Sequence, residues 1–185
     1  MSRFRLSHCM QNLKNQVIYF GSPRNFNDPY DCALLPRIKE ITNSDVEKYK
    51  RCLLLNPELK HEFVNNISTD SIKKKLLCNG EAKLHRAKED FLRRRGVSCF
   101  SEKKDNLLMW SHYGDHGTGF CLEFSTSNEM FKKIRKIHYS DEIPEINIVT
   151  VLCDDDSDEL IINNLYCTKS VDWAYEKEWR VIHNV

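Results

Sequence analysis

No stretch of this sequence approaches the ~20 consecutive apolar residues of a membrane span. The opening residues, Met1-Ser2-Arg3-Phe4-Arg5-Leu6, hold none of the apolar run of an export leader. Paired cysteines are missing too. The eight cysteines (Cys9, Cys32, Cys52, Cys78, Cys99, Cys121, Cys153 and Cys167) stand singly, with no CxxC or other ligand-like pair. That spacing speaks against a structural zinc framework. Without export, the thiols are expected to stay reduced, mostly as small buried apolar groups, in a cytoplasmic protein with no membrane partner. Neither an internal repeat nor a low-complexity linker interrupts the chain. A formal net charge of +1 gives no bulk steering toward nucleic acid or membrane.

What is present suits one ordered domain. The 185 residues are 41% hydrophobic and 30% charged, enough apolar content for one sizeable core and too much for wholesale disorder. We therefore expect a single α+β domain over residues 1–185. Charge is unevenly spread. Residues 71–95 hold nine Lys or Arg against three acids, and residues 141–178 hold eleven acids against Lys169 and Lys177. A basic and an acidic face, or two solvated surfaces, both fit this pattern.

Short apolar runs at 3–8, 17–20, 96–101, 119–124, 134–139 and 146–153 predict strands, as does an alternating run opening at Glu178. A helical block fills the middle. Asn43 or Ser44 can cap one helix, Asn56-Pro57 another, and Thr69 or Asp70 a third that Gly80 interrupts. Pro29 can open a helix after the turn at 25–31. Asp105 can cap a short helix, Ser125 or Thr126 another, and residues 158–165 read as helix. Small mixed or antiparallel sheets at both chain ends around a helical block make the expected class α+β.

Four clusters place polar residues among aromatics and glycines. They run Phe26-Asn27-Asp28-Pro29-Tyr30-Asp31, Cys99-Phe100-Ser101-Glu102, residues 109–124 (MWSHYGDHGTGFCLEF) and residues 173–180 (WAYEKEWR). In this order they resemble a bacterial family filed as domain of unknown function twenty-nine seventy-one, which has no established biochemistry. Arg3-Phe4-Arg5 is similar to its basic–aromatic start. Such proteins continue past the EWR segment with more strand-like sequence, so a closing portion of the fold is expected to be missing here.

Glu176 and Glu178 flank Lys177, and in a strand that spacing puts both carboxylates on one face. So placed, one can stabilise a developing cation while the other orients or deprotonates a nucleophile. A basic residue on a first strand, a serine on a middle strand and Glu-x-Glu opening a late strand resemble, more distantly, the ADP-ribosyltransferase superfamily. That resemblance implies a split sheet, NAD as cofactor and a macromolecular target, protein or nucleic acid, in a toxin or phage-defence effector. It implies Glu178 as catalytic acid, Glu176 as its substrate-orienting partner, Ser101 as the middle serine and Arg5 as the first-strand cation. The middle motif here is Cys-Phe-Ser-Glu, where that superfamily has Ser-Thr-Ser. The bland alternative is a surface pair of glutamates with Lys177 or Arg180.

His112 and His116 have metal-ligand spacing, but Gly114, Gly117 and Gly119 make a poor helix and no second ligand pair exists, so no metal is expected. A pocket is the better reading, with Trp110 and Tyr113 offering flat faces for a base or nicotinamide ring and His112 a donor. That reading is preferred over a metal site only; for the aromatics themselves, core packing of Trp110, Tyr113 and Phe120 is the expected role. Those glycines do not form a phosphate fingerprint. The second reading of the whole chain is a non-catalytic module that holds a nucleotide or nucleic acid through residues 110–116.

Overall fold

The computed structural model describes residues 3–28, 30–32, 35–55, 66–155 and 157–184, with backbone alone for residues 3–7. The class is α+β. In order come α1 (Arg3–Lys14), β1 (Arg37–Ile38), α2 (Asn43–Leu54), α3 (Thr69–Arg94), β2 (Arg95–Ser101) and α4 (Leu107–Tyr113). There follow β3 (Arg135–Lys136), β4 (His138–Tyr139), β5 (Glu145–Ile146), α5 (Ile148–Cys153), α6 (Ser157–Tyr166), β6 (Thr168–Lys169) and β7 (Glu178–Asn184). The chain divides into two compact units: Met1–Asp28, Leu92–Asp141 and Lys169–Val185 make the first, Pro29–Phe91 and Glu142–Thr168 the second.

The first unit is built on an antiparallel sheet of order β2-β7-β3. Ser101 faces Glu178 and Cys99 faces Arg180 across β2 and β7, while Arg135 of β3 faces Arg180 from the other side. Val97, Phe131, Ile137 and Val181 are buried here. Phe131 packs edge-on against Phe100 at 5.1 Å between ring centroids. β4 pairs with β6, and the amide of Ser140 donates to the carbonyl of Lys169 at 3.0 Å, which fixes the backbone of Lys169.

The second unit packs helices. Thr42 and Asp45 cap α2 reciprocally, each side chain accepting from the other's backbone amide. α3 buries Ile72, Leu76, Gly80 and Leu84, a four-residue repeat that keeps one face inward. α6 contributes Ile161, Leu165 and Tyr166, whose ring stacks on Phe91 at 3.5 Å.

Several sequence expectations need correcting. Residues 3–8 are helical, within α1. The run 3–14 contains no Val, Ile or Thr, and Phe4 is its one strand-favouring residue. Residues 17–20 form no strand; only Gly21 bridges to Val97, through two backbone bonds of 2.8 and 3.0 Å. Residues 119–124 have no strand partner among the described residues, and Phe120, Leu122 and Phe124 stand exposed. The β-branched run at 146–153 is mostly the helix α5, because Asn147 accepts from the amides of Val149 and Thr150 and starts a helical turn. Caps shift by one to three residues, to Thr42, Asn106 and Asn128, and the last opens a 3-10 turn rather than an α-helix. The expected starts at Pro29 and Asn56-Pro57 lie outside the described residues. The strand at 96–101, the helix at 158–165 and the strand opening at Glu178 are present.

Gly80 does not interrupt α3. It sits mid-helix because a Cβ there would lie 1.9 Å from Cγ1 of Ile148 in α5. The missing side chain lets the two helices approach, which outweighs the weak helix propensity of glycine, about 1 kcal/mol. Gly80→Ala is therefore expected to destabilise the fold by about 1–3 kcal/mol, as overpacking does. Adding Ile148→Ala should recover part of that loss in urea unfolding. Additive losses in the double mutant would refute the contact.

Candidate active site

Every residue of the candidate site belongs to the first unit. It is formed by a turn rather than by strand alternation. A 3-10 turn, Val171–Glu176, starts where the Ser170 hydroxyl accepts from the Asp172 amide and ends at Lys177 in the left-handed region, φ 48°. A non-glycine residue there is held against its preference, so the surrounding bonds must fix it. The Lys177 carbonyl accepts from the Glu102 amide at 3.2 Å. The hydroxyl of Ser101 donates to the carbonyl of Glu176. The Glu178 amide donates to the Tyr139 hydroxyl at 2.8 Å. The reversal at Lys177 turns Glu176 and Glu178 inward, while Lys177 itself is exposed.

The two carboxylates meet on Lys169. Its Nζ lies 2.6 Å from Oε2 of Glu176 and 3.1 Å from Oε2 of Glu178. Nε of Arg180 donates to Oε1 of Glu178 at 2.6 Å, and the guanidinium sits 5.2 Å from the Phe26 ring centroid. The Tyr113 hydroxyl donates to Oε1 of Glu176 at 2.7 Å and accepts from the Asn27 amide nitrogen at 3.0 Å. All four carboxylate oxygens thus have a donor. Lys169, Glu176, Glu178 and Arg180 are all 5% exposed or less, whereas Tyr113 is 53% exposed.

These surroundings separate the two acids. Burial alone would raise Glu178, but the charge and hydrogen bond of Arg180, then the charge of Lys169, outweigh it and hold the carboxyl at about 2. Glu176 is raised, first by burial, against the hydrogen bonds of Lys169 and Tyr113, with the neighbouring charge of Glu178 adding to the rise. The shorter contact to Lys169 therefore belongs to the acid that is harder to ionise. The difference is Arg180, whose Nε donates to Glu178. Tyr113 is raised by burial and by Glu176, so its hydroxyl stays a donor at neutral pH.

An aromatic group lies beside this network. The His112 ring is 5.9 Å from Trp173 and 6.5 Å from Tyr175, and Trp173 and Tyr175 are 6.0 Å apart. Lys169 Nζ lies 4.7 Å from the Trp173 ring centroid. The expected residues divide accordingly. Glu176, Glu178, Tyr113 and Ser101 come together, and His112 joins the rings. Trp110 does not: its indole donates to the Lys104 carbonyl at 2.8 Å, and its ring occupies the space a Gly114 side chain would need. Arg5 stands in helix α1 where the resemblance requires a strand, and its side chain lies outside the described residues. His116 follows the helix at φ 57°, which removes the helical spacing to His112. Among the described residues no three His, Cys, Asp or Glu side chains converge as a metal set, and no helix is long and apolar enough to cross a membrane.

Sequence reasoning missed Lys169, Asn27, Trp173 and Tyr175 as site members. One signal for Lys169 was available, since it is one of two Lys or Arg residues in the acidic stretch 141–178. Residues 109–181 match the model of a family described as "Protein of unknown function (DUF2971)". This segment is similar to that family. The matched segment holds Tyr113, Lys169, Glu176, Glu178 and Arg180, while Asn27 and Ser101 lie before it. No curated protein and no solved structure matches the chain.

The shift of Glu178 makes stability depend on pH. Its folded value of about 2 lies below the ordinary 4.5, so its ionised form contributes stability above pH 4.5, lost as the pH falls toward 2. Glu176, being raised, contributes in the opposite sense: its share is present at acid pH and lost as the pH rises through its folded value. Urea unfolding should therefore show wild type well above Glu178→Gln at neutral pH, with the gap narrowing at pH about 3. A gap of equal size at both pH values would show that the carboxylate is not held ionised.

Proposed function

We propose that this chain is an NAD-using enzyme of the ADP-ribosyltransferase kind, moving ADP-ribose to a macromolecule, protein or nucleic acid. The observation that carries the reading is the junction of β2 and β7. Ser101 and Glu178 are direct cross-strand partners, and the Ser101 hydroxyl ties down the carbonyl of Glu176. Ser101 of β2 thus helps fix the turn that brings both glutamates onto Lys169, which supports the serine role that the distant resemblance implies.

When bound, NAD would supply a ribosyl carbon that becomes cationic as nicotinamide departs. Glu178, kept ionised by Arg180 and Lys169, supplies a fixed negative charge for such a centre. His112, Trp173 and Tyr175 offer flat faces that suit the nicotinamide ring, whereas the Arg5 position does not match its implied first-strand place. A second reading, a non-catalytic nucleotide- or nucleic-acid-binding module, has its own observation. Glu178 is 4% exposed and both its oxygens are already engaged by cations. A toxin or phage-defence role belongs to the first reading and would appear as growth arrest on expression.

Two measurements separate the readings. Thermal shift with NAD, ATP and nucleic acid shows what binds, and nicotinamide release shows whether NAD is cleaved. Glu178→Gln keeps the shape and removes the charge, so release should fall by ~10²–10³. A folded Glu178→Gln protein with undiminished release would sink the mechanism. A wild type that binds nucleotide without cleaving NAD would establish the binding module instead.

A further inference from the structure

Tyr113 links the buried network to the described surface. Lys169, Glu176, Glu178 and Arg180 are sealed in, but Tyr113 is 53% exposed and its hydroxyl reaches Oε1 of Glu176 at 2.7 Å. Asn27, also exposed, donates to the same hydroxyl oxygen at 3.0 Å. The phenolic proton is thus committed to Glu176, while the oxygen, which accepts from Asn27, has a second lone pair for one further donor. Oε2 of Glu176 is held by Lys169, so the carboxylate cannot swing outward without breaking a buried ion pair. A ring carbon scaffold alone would not need this arrangement, since phenylalanine offers the same flat face.

We propose that Tyr113 is the proton-relay residue of the site, passing the proton of a neutral O–H or N–H acceptor to Glu176. The inference rests on the transfer reaction proposed above and specifies its acceptor class. The acceptor's proton passes to the Tyr113 oxygen as the phenolic proton passes to Oε1 of Glu176. The acceptor's freed electron pair forms the new bond to the ribosyl carbon. The bond from that carbon to nicotinamide breaks, and its electron pair leaves with the nicotinamide, whose ring nitrogen becomes neutral. Atoms and charge balance with no further reactant. An acceptor already ionised needs no such relay.

Glu176 is the group that must titrate, and the charged or titratable groups facing it are Lys169, Glu178, Tyr113, Tyr139 and Tyr175. The first arm is free of activity. Protein carrying 13Cζ-labelled tyrosine is titrated by NMR, and Tyr113→Phe identifies the Tyr113 resonance. The expected result is a step in that resonance as Glu176 gains its proton, absent in Glu176→Gln. A resonance without a step in wild type overturns the relay. In the second arm NAD is cleaved in the presence of methanol, a neutral acceptor, and azide, an ionised one. Tyr113→Phe should lower the ratio of methyl to azido product by about tenfold or more, as loss of a general base does. An unchanged ratio overturns the relay even where the NMR step is present. A wild type with the step but no nicotinamide release overturns the NAD reading and leaves the proton path standing. One that releases nicotinamide without the step overturns the relay alone.

Discussion

The ammonium of Lys169 is the point on which the site depends. Two carboxylates buried within a few ångströms of each other repel, and each loses its hydration, so neither would stay ionised without a cation. Lys169 touches both, and Arg180 supplies the second positive charge on Glu178. Two acids and two bases thus balance inside a region almost closed to water. Removing one partner from such a group costs about 3–5 kcal/mol, because a buried charge is left uncompensated. The same balance contributes little net stability compared with apolar side chains of similar volume.

Backbone geometry sets where these charges stand. Lys169 is placed by the bond from Ser140, Glu178 by the Tyr139 hydroxyl, and Arg180 by its position on the central strand between Cys99 and Arg135. Glu176 is fixed through its carbonyl by Ser101 and through its carboxylate by Tyr113 and Lys169. Each ion is therefore held by at least one constraint that does not depend on the ion pairs. The left-handed Lys177 is where this shows most directly. Its conformation is tolerated because Glu102 and Ser101 bind the carbonyls on its own residue and on the residue before it.

Much of this was legible in the sequence, but by a different route. The strand opening at Glu178 follows from local alternation, and so does its role in carrying one of the paired acids. The expected shared strand face for Glu176 and Glu178 gave the right neighbours from the wrong geometry, since a two-residue spacing also brings side chains together across a tight reversal. Local pattern failed where long-range packing decides. Residues 148–151 are β-branched yet helical because Asn147 caps them and α3 accepts Ile148 at Gly80. Gly80 reads as a helix break for the same reason: nothing near it in sequence shows Ile148. Lys169 stayed hidden because an isolated lysine among acids looks like a surface residue until its strand is paired.

The two glutamates are chemically unlike although they are the same residue type two positions apart. Glu178 has a cation on each oxygen and stays ionised far into the acid range, which suits a group that must be negative when positive charge appears. Glu176 shares one cation, faces the charge of Glu178 and is raised, which suits a group that must accept a proton and give it up again. The separation follows from the side of the sheet strand that Arg180 occupies, two residues beyond Glu178 on the same face. Exchanging the environments would exchange the roles. A fixed charge and a proton acceptor held by one lysine form a unit that can both steady a leaving reaction and receive the proton of the attacking group. In the proposed relay Tyr113 would complete it, because its hydroxyl meets Glu176 without opening the ion pairs beneath.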